Sequence, residues 1–94
     1  MADTKNDSTV SATTWVDAFT LSGVASTASL SIFNKSSYPV LMQIIAAQPS
    51  DSDVNGVVIG QMNTSYASVT TDAASSGVWL KAVNFPATVN ISEG

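Results

Sequence analysis

The chain has 94 residues, 45% of them hydrophobic and 11% charged, with three Lys, no Arg, six Asp and one Glu for a net charge of −4. That length holds one domain at most, and the composition is too apolar for a disordered chain and too poor in charge for a coiled coil. His and Cys are both absent, which excludes an imidazole base, a thiolate nucleophile, a soft metal centre and any disulfide.

Ser (15) and Thr (10) fill 25 of the 94 positions. Together with Val, Ile and Ala they make the composition of short strands with hydroxylated outer faces, so an all-β fold is expected. Residues 1–12 contain one sizeable apolar side chain after Met1, namely Val10, and read as a flexible N-terminal arm ahead of a β-sandwich domain over 13–94. Thr13 to Gly23 fits two elements. Thr14 with Asp17 makes a capping box and Gly23 a helix C-terminal residue, whereas Trp15, Phe19 and Leu21 on one side, among β-branched and aromatic neighbours, favour a strand.

Ala28, Leu30 and Ile32 alternate with Ser29 and Ser31 up to the turn cluster Asn34-Lys35-Ser36-Ser37, the pattern of a half-buried strand. Tyr38 to Gln48 is nearly continuous apolar sequence, opened by Pro39 and closed by Pro49-Ser50-Asp51-Ser52-Asp53, and predicts a strand buried on both faces. Asn55-Gly56 is a turn leading into Val57-Val58-Ile59, and Tyr66 to Thr71 alternates again. Val78 to Val83, a turn at Asn84-Phe85-Pro86, and Ala87 to Ser92 with unbroken alternation read as a terminal hairpin. The count is about seven strands with turns every 8–12 residues or so, which predicts a small antiparallel β-sandwich of immunoglobulin-like topology, without the Cys…Trp…Cys hallmark of antibody domains.

Several segments resemble one group of proteins. Phe19-Thr20-Leu21-Ser22-Gly23, Ala28-Ser29-Leu30-Ser31-Ile32, Val40-Leu41-Met42-Gln43, Val78-Trp79-Leu80-Lys81-Ala82-Val83 and Ala87-Thr88-Val89-Asn90-Ile91-Ser92-Glu93 are similar in succession to small β-sandwich structural proteins of tailed bacteriophage virions. The resemblance spans residues 15–93. It departs at Pro49 to Gly56, where that group often carries a longer Asp-Gly-rich hairpin with a Trp. It implies a virion component, as capsid decoration, fibre base or tail part, made in the host cytoplasm and working by protein–protein assembly without catalysis.

The residues allow one further class. Trp79 with the loop 49–56 would form the site of a carbohydrate- or receptor-binding module. Asp51-x-Asp53-x-Asn55-Gly56 is the first half of a calcium loop, but the closing carboxylate position is Met62, so no metal and no cofactor are expected. Lys5, Lys35 and Lys81 are too few and too scattered for nucleic acid. The longest apolar stretch is well short of the roughly 18–20 residues that span a bilayer, and Met1 to Asp7 has no signal-peptide pattern, so neither membrane nor export is expected.

The remaining expectation concerns assembly. Lys81 marks the outer face of 78–83, which puts Val78, Leu80 and Ala82 inside and Trp79 and Val83 outside. Gln43 does the same for 40–45, with Val40, Met42 and Ile44 inside and Leu41 and Ile45 outside. These strands, third and sixth in order, are neighbours in an immunoglobulin-like sheet, so Leu41, Ile45, Trp79 and Val83 are expected to merge into one apolar interface. A domain this small without staples is then expected to be a homo-oligomer, with three-fold symmetry preferred, or to dock on other virion proteins such as the major capsid or tail protein.

Overall fold

The computed structural model describes residues 6–72 and 77–94, and among them eight strands build two four-stranded antiparallel sheets. One sheet runs β1 (Ser8–Val10), β8 (Ala87–Glu93), β3 (Leu30–Asn34), β6 (Ser68–Thr70); the other runs β2 (Val16–Asp17), β7 (Val78–Ala82), β4 (Val40–Ile44), β5 (Val57–Ile59). The protein is an all-β sandwich. Val10, Leu30, Ile32, Val89 and Ile91 from the first sheet and Val40, Met42, Ile59, Val78 and Leu80 from the second close one core between them. The first sheet turns small polar groups outward: Thr9 pairs with Thr88, and Ser31 with both Ser92 and Thr70.

β3 pairs with β6 and β4 with β7, as an immunoglobulin-like order requires. The last strand departs from that order. β8 lies between β1 and β3, in the sheet opposite β7, so the expected terminal hairpin is a connection across the sandwich. Strands 1, 3, 6 and 8 against 2, 4, 5 and 7 is the arrangement of an eight-stranded jelly roll. The alternation of Ala87, Val89 and Ile91 states which face of β8 is buried, but either sheet offers such a face, so the pattern cannot choose the neighbour. The choice is made at the connection. Asn84 takes a left-handed φ of 71°, and Lys35 N–H then bonds to Thr88 O at 2.8 Å, which fixes β8 beside β3.

The arm expected over 1–12 is corrected where it is described. Ser8–Val10 is an edge strand paired with Ala87 to Val89, and Val10 is fully buried; residues 1–5 lie outside the described residues. Polar composition hid a strand whose single apolar side chain fills the core. The strand expected over Trp15 to Leu21 is also corrected, to the two-residue β2 followed by a short helix α1 (Ala18–Ser22). Asp17 Oδ1 accepts from Phe19 N at 2.9 Å, and Gly23 closes the helix at φ 77° with its N–H on Phe19 O. Both caps are side-chain and backbone chemistry that outweighs the weak helix propensity between them.

Candidate functional site

Of the four expected interface residues, Leu41 lies in β4 and Trp79 in the neighbouring β7, while Ile45 and Val83 are the residues that follow those strands. Leu41 pairs with Lys81 and Gln43 with Trp79, while Asp17 of β2 lies on the other side of Trp79. All five side chains point away from the core, yet Leu41 is only 9% exposed and Lys81 9%. Trp15, next to β2, is 1% exposed although it stands outside the main core cluster.

The cover is the chain's own loop between β4 and β5. Trp15 Nε1 donates to Asp53 O at 3.0 Å, Lys81 Nζ donates to Asp51 O, Gln43 Nε2 donates to Asn55 O at 3.0 Å, and Gln48 Nε2 donates to Trp15 O at 2.8 Å. Asp53 Oδ1 accepts from Asn55 N at 2.9 Å; this bond, then that from Gln43, holds its carboxyl below the ordinary carboxylate range. Gly56 sets the return into β5. Its φ is 136°, and a Cβ there would stand 2.5 Å from Met42 O, so a side chain has neither the conformation nor the space. The segment read as half of a calcium loop is thus a strap whose backbone oxygens face a lysine and two side-chain N–H donors.

The single open patch of Leu41, Ile45, Trp79 and Val83 is therefore corrected. Leu41 and Val83 border a hollow of about 260 Å³ beside Lys81 and Val54. Trp79 opens on the other side of the strap, its Nε1 donating to Ile45 O at 2.9 Å, and borders a groove of about 450 Å³ with Trp15, Asp17, Thr20, Leu21 and Gln48. Ile45 is 46% exposed, and Ile44, expected in the core, is 51% exposed because it lies two residues beyond the last β4–β5 pair, Met42 with Val57.

A second surface was not expected from the sequence. From Val54 to Thr71 the chain contains no charged residue, and this stretch supplies β5 and β6, the end strands of the two sheets, together with the loop that joins them. Val57, Val58, Met62 and Tyr66 are all more than half exposed along it. Natural edge strands are usually blunted by Lys, Pro or a bulge, and β5 carries none of these. The opposite edges differ: Asp7 precedes β1, bonded to Lys35 at 2.7 Å, and Asp17 sits in β2. The absence of Lys, Asp and Glu over 54–71 was the available signal.

Behind that edge, Asn34 is fully buried. Its Nδ2 donates to Tyr38 O, Ile59 O and Gly60 O, and its Oδ1 accepts from Ser36 N and Ser36 Oγ. One side chain thereby joins the end of β3 to the start of β4 and the end of β5. Comparisons with protein-family models, with curated proteins and with solved structures found no match to this chain.

Proposed function

We propose that this chain is a structural subunit of a bacteriophage virion that works by protein–protein assembly and carries no reaction. The observation behind this reading is the charge-free side of the sandwich, where β5, β6 and their connecting loop expose Val57, Val58, Met62 and Tyr66. Apolar side chains on an unblunted sheet edge mark a contact surface. Two further points support it. The resemblance to virion proteins covers residues 15–93, and jelly rolls are an architecture used by viral capsid domains, although a fold alone assigns no function. Its partners in this reading are further copies of itself and other virion proteins such as the major capsid or tail protein. Quantitative mass spectrometry of purified virions tests the assignment. The chain is expected at a fixed ratio to the major capsid or tail protein, and its absence from washed particles would remove the assignment.

A second reading is favoured by the groove at Trp79. An indole beside the Asp17 carboxylate, the Thr20 hydroxyl and the Gln48 amide is the chemistry of a short saccharide site, with an apolar face for the ring and acceptors for its hydroxyls. Jelly rolls also serve as lectin domains. Glycan-array binding abolished by Trp79→Ala would favour this reading; an array without reproducible binding removes it.

A further inference from the structure

At the centre of the β5 edge lies a bonding pair that no described residue takes up. Val83 N–H bonds to Pro39 O and Ile45 N–H to Gly77 O, so the odd-numbered residues of β4 face β7 and the even-numbered ones face β5. Val40 with Ile59 and Met42 with Val57 are therefore the hydrogen-bonded pairs of the β4–β5 ladder. The N–H and C=O of Val58, between them, point away from β4, and no described residue meets them. Two residues on, Gly60 N–H points the same way and is taken by Tyr66 O at 2.8 Å, which leaves Val58 as the open position.

We propose that this edge pairs with the same edge of a second copy, antiparallel and two-fold about Val58. This rests on the assembly reading above and names its surface. A second copy fits for two reasons. An antiparallel pair centred on one residue is self-complementary, each Val58 giving its N–H to the other's C=O, as an isologous contact requires. Charge selects the same side: a chain of net charge −4 repels its copies, and Val54 to Thr71 is the stretch with no charge to bring together. The contact places Val58 against Val58 on the outer faces; Val54, Val57 and Tyr66 nearby in the same uncharged stretch are also more than half exposed. It joins two four-stranded sheets into one of eight and closes as a pair, in place of the three-fold ring expected from the sequence.

The chain has no cysteine, which makes a direct test possible. Hydrogen-bonded antiparallel pairs bring Cα atoms to about 5.5 Å, within the range a disulfide bridges. Val58→Cys is expected to form a disulfide dimer on mild oxidation, while Thr88→Cys, on the outer face of the other sheet, stays largely uncrosslinked. In sedimentation at high micromolar concentration the native chain is expected to be a dimer and Val58→Lys a monomer with an unchanged circular dichroism spectrum. A native chain that is monomeric throughout would overturn the proposal. So would an oligomer untouched by Val58→Lys, or equal crosslinking of both cysteine variants, each of which leaves the assembly reading standing. Pairing as described in a chain missing from purified virions would uphold this contact and remove the virion assignment.

Discussion

The indole of Trp15 donates its Nε1–H to the carbonyl of Asp53 across 38 residues of sequence, at 3.0 Å. That bond, with Lys81 on Asp51 O, straps the β4–β5 loop over a sheet face that would otherwise expose Trp15 and Leu41. The strap covers Leu41 and divides the apolar row, and the β5–β6 side is a second exposed apolar surface.

Truncating the strap's anchors should be costly. Trp15→Ala removes a fully buried aromatic and is expected to lower unfolding free energy by about 3–5 kcal/mol. Lys81→Met keeps the apolar stem but deletes a charged donor, for about 1.5–3 kcal/mol. Urea unfolding measures both, and limited proteolysis should show faster cutting between residues 49 and 56. Losses under about 0.5 kcal/mol in both variants, within the usual range for surface substitutions, would mean that the loop is not held this way.

Residues 8–10 belong to the fold. Deleting residues 1–10 exposes the edge of β8 and strips a fully buried valine from the core, a burial worth about 1.5–3 kcal/mol by itself. The melting temperature of that truncation should drop by several degrees; an unchanged value would restore the free-arm expectation.

Asn34→Leu should be among the most damaging single changes. It removes a donor shared by three carbonyls; Tyr38 O keeps Ser36 Oγ and Ile59 O its ladder bond from Val40, so the loss falls on Gly60 O and on Ser36 N–H, whose acceptor goes, at about 1–3 kcal/mol for each unpaired group. Asn34→Asp swaps the donor for a charge facing the same carbonyls. Its folded carboxyl is expected to titrate above the unfolded one, so stability at neutral pH should be lower than in acid. A variant as stable as the native chain under urea at neutral pH would contradict the role given to Asn34.

Acid should loosen two places first. The hydrogen bond from Lys35, then that from Asn90, lowers the Asp7 carboxyl below its ordinary range, and the Asn55 N–H does so for Asp53. Both carboxyls titrate lower folded than unfolded, so their contribution is present above the unfolded pKa and is lost as pH falls through the folded one. Amide exchange should show protection at Ser8–Val10 and at Asn55 falling with acid before the core strands. Uniform loss across the chain would show that these carboxylates hold nothing locally.

The sequence is legible where one physical rule decides. Alternation in 78–83 and 87–92 correctly turned Val78, Leu80, Val89 and Ile91 inward, because a side-chain period of two admits a single buried face. It is mute on partners, which is why β8 was assigned beside β7. Thr14 to Gly23 is decided by local caps: Gly23 ends the helix as the sequence allows, but Asp17 is itself the N-cap, three residues beyond the Thr14 start that the capping-box pattern implies. The exposure of the Leu41–Trp79 row is a third case. Leu41 and Trp79 do face out as read, but whether an outward face meets water depends on where a long loop lies, and nothing in the residues of Pro49 to Gly56 says which face that loop covers. The strap depends on Trp15, Gln43, Gln48 and Lys81 meeting main-chain oxygens far along the chain, which no local pattern encodes.

The Val58 amide gives the most direct reading of the central claim, that this protein assembles through its charge-free side. Its hydrogen-exchange rate should be followed from dilute to concentrated protein. In dilute solution the N–H, which has no acceptor among the described residues, is expected to exchange nearly as fast as an open chain, while the amides of Val57 and Ile59, bonded to β4, stay protected. As concentration rises, protection at Val58 should climb until it approaches theirs, in step with the mass of the assembled species. A Val58 amide that stays fast while the protein associates, or that is protected at every dilution, would contradict the account.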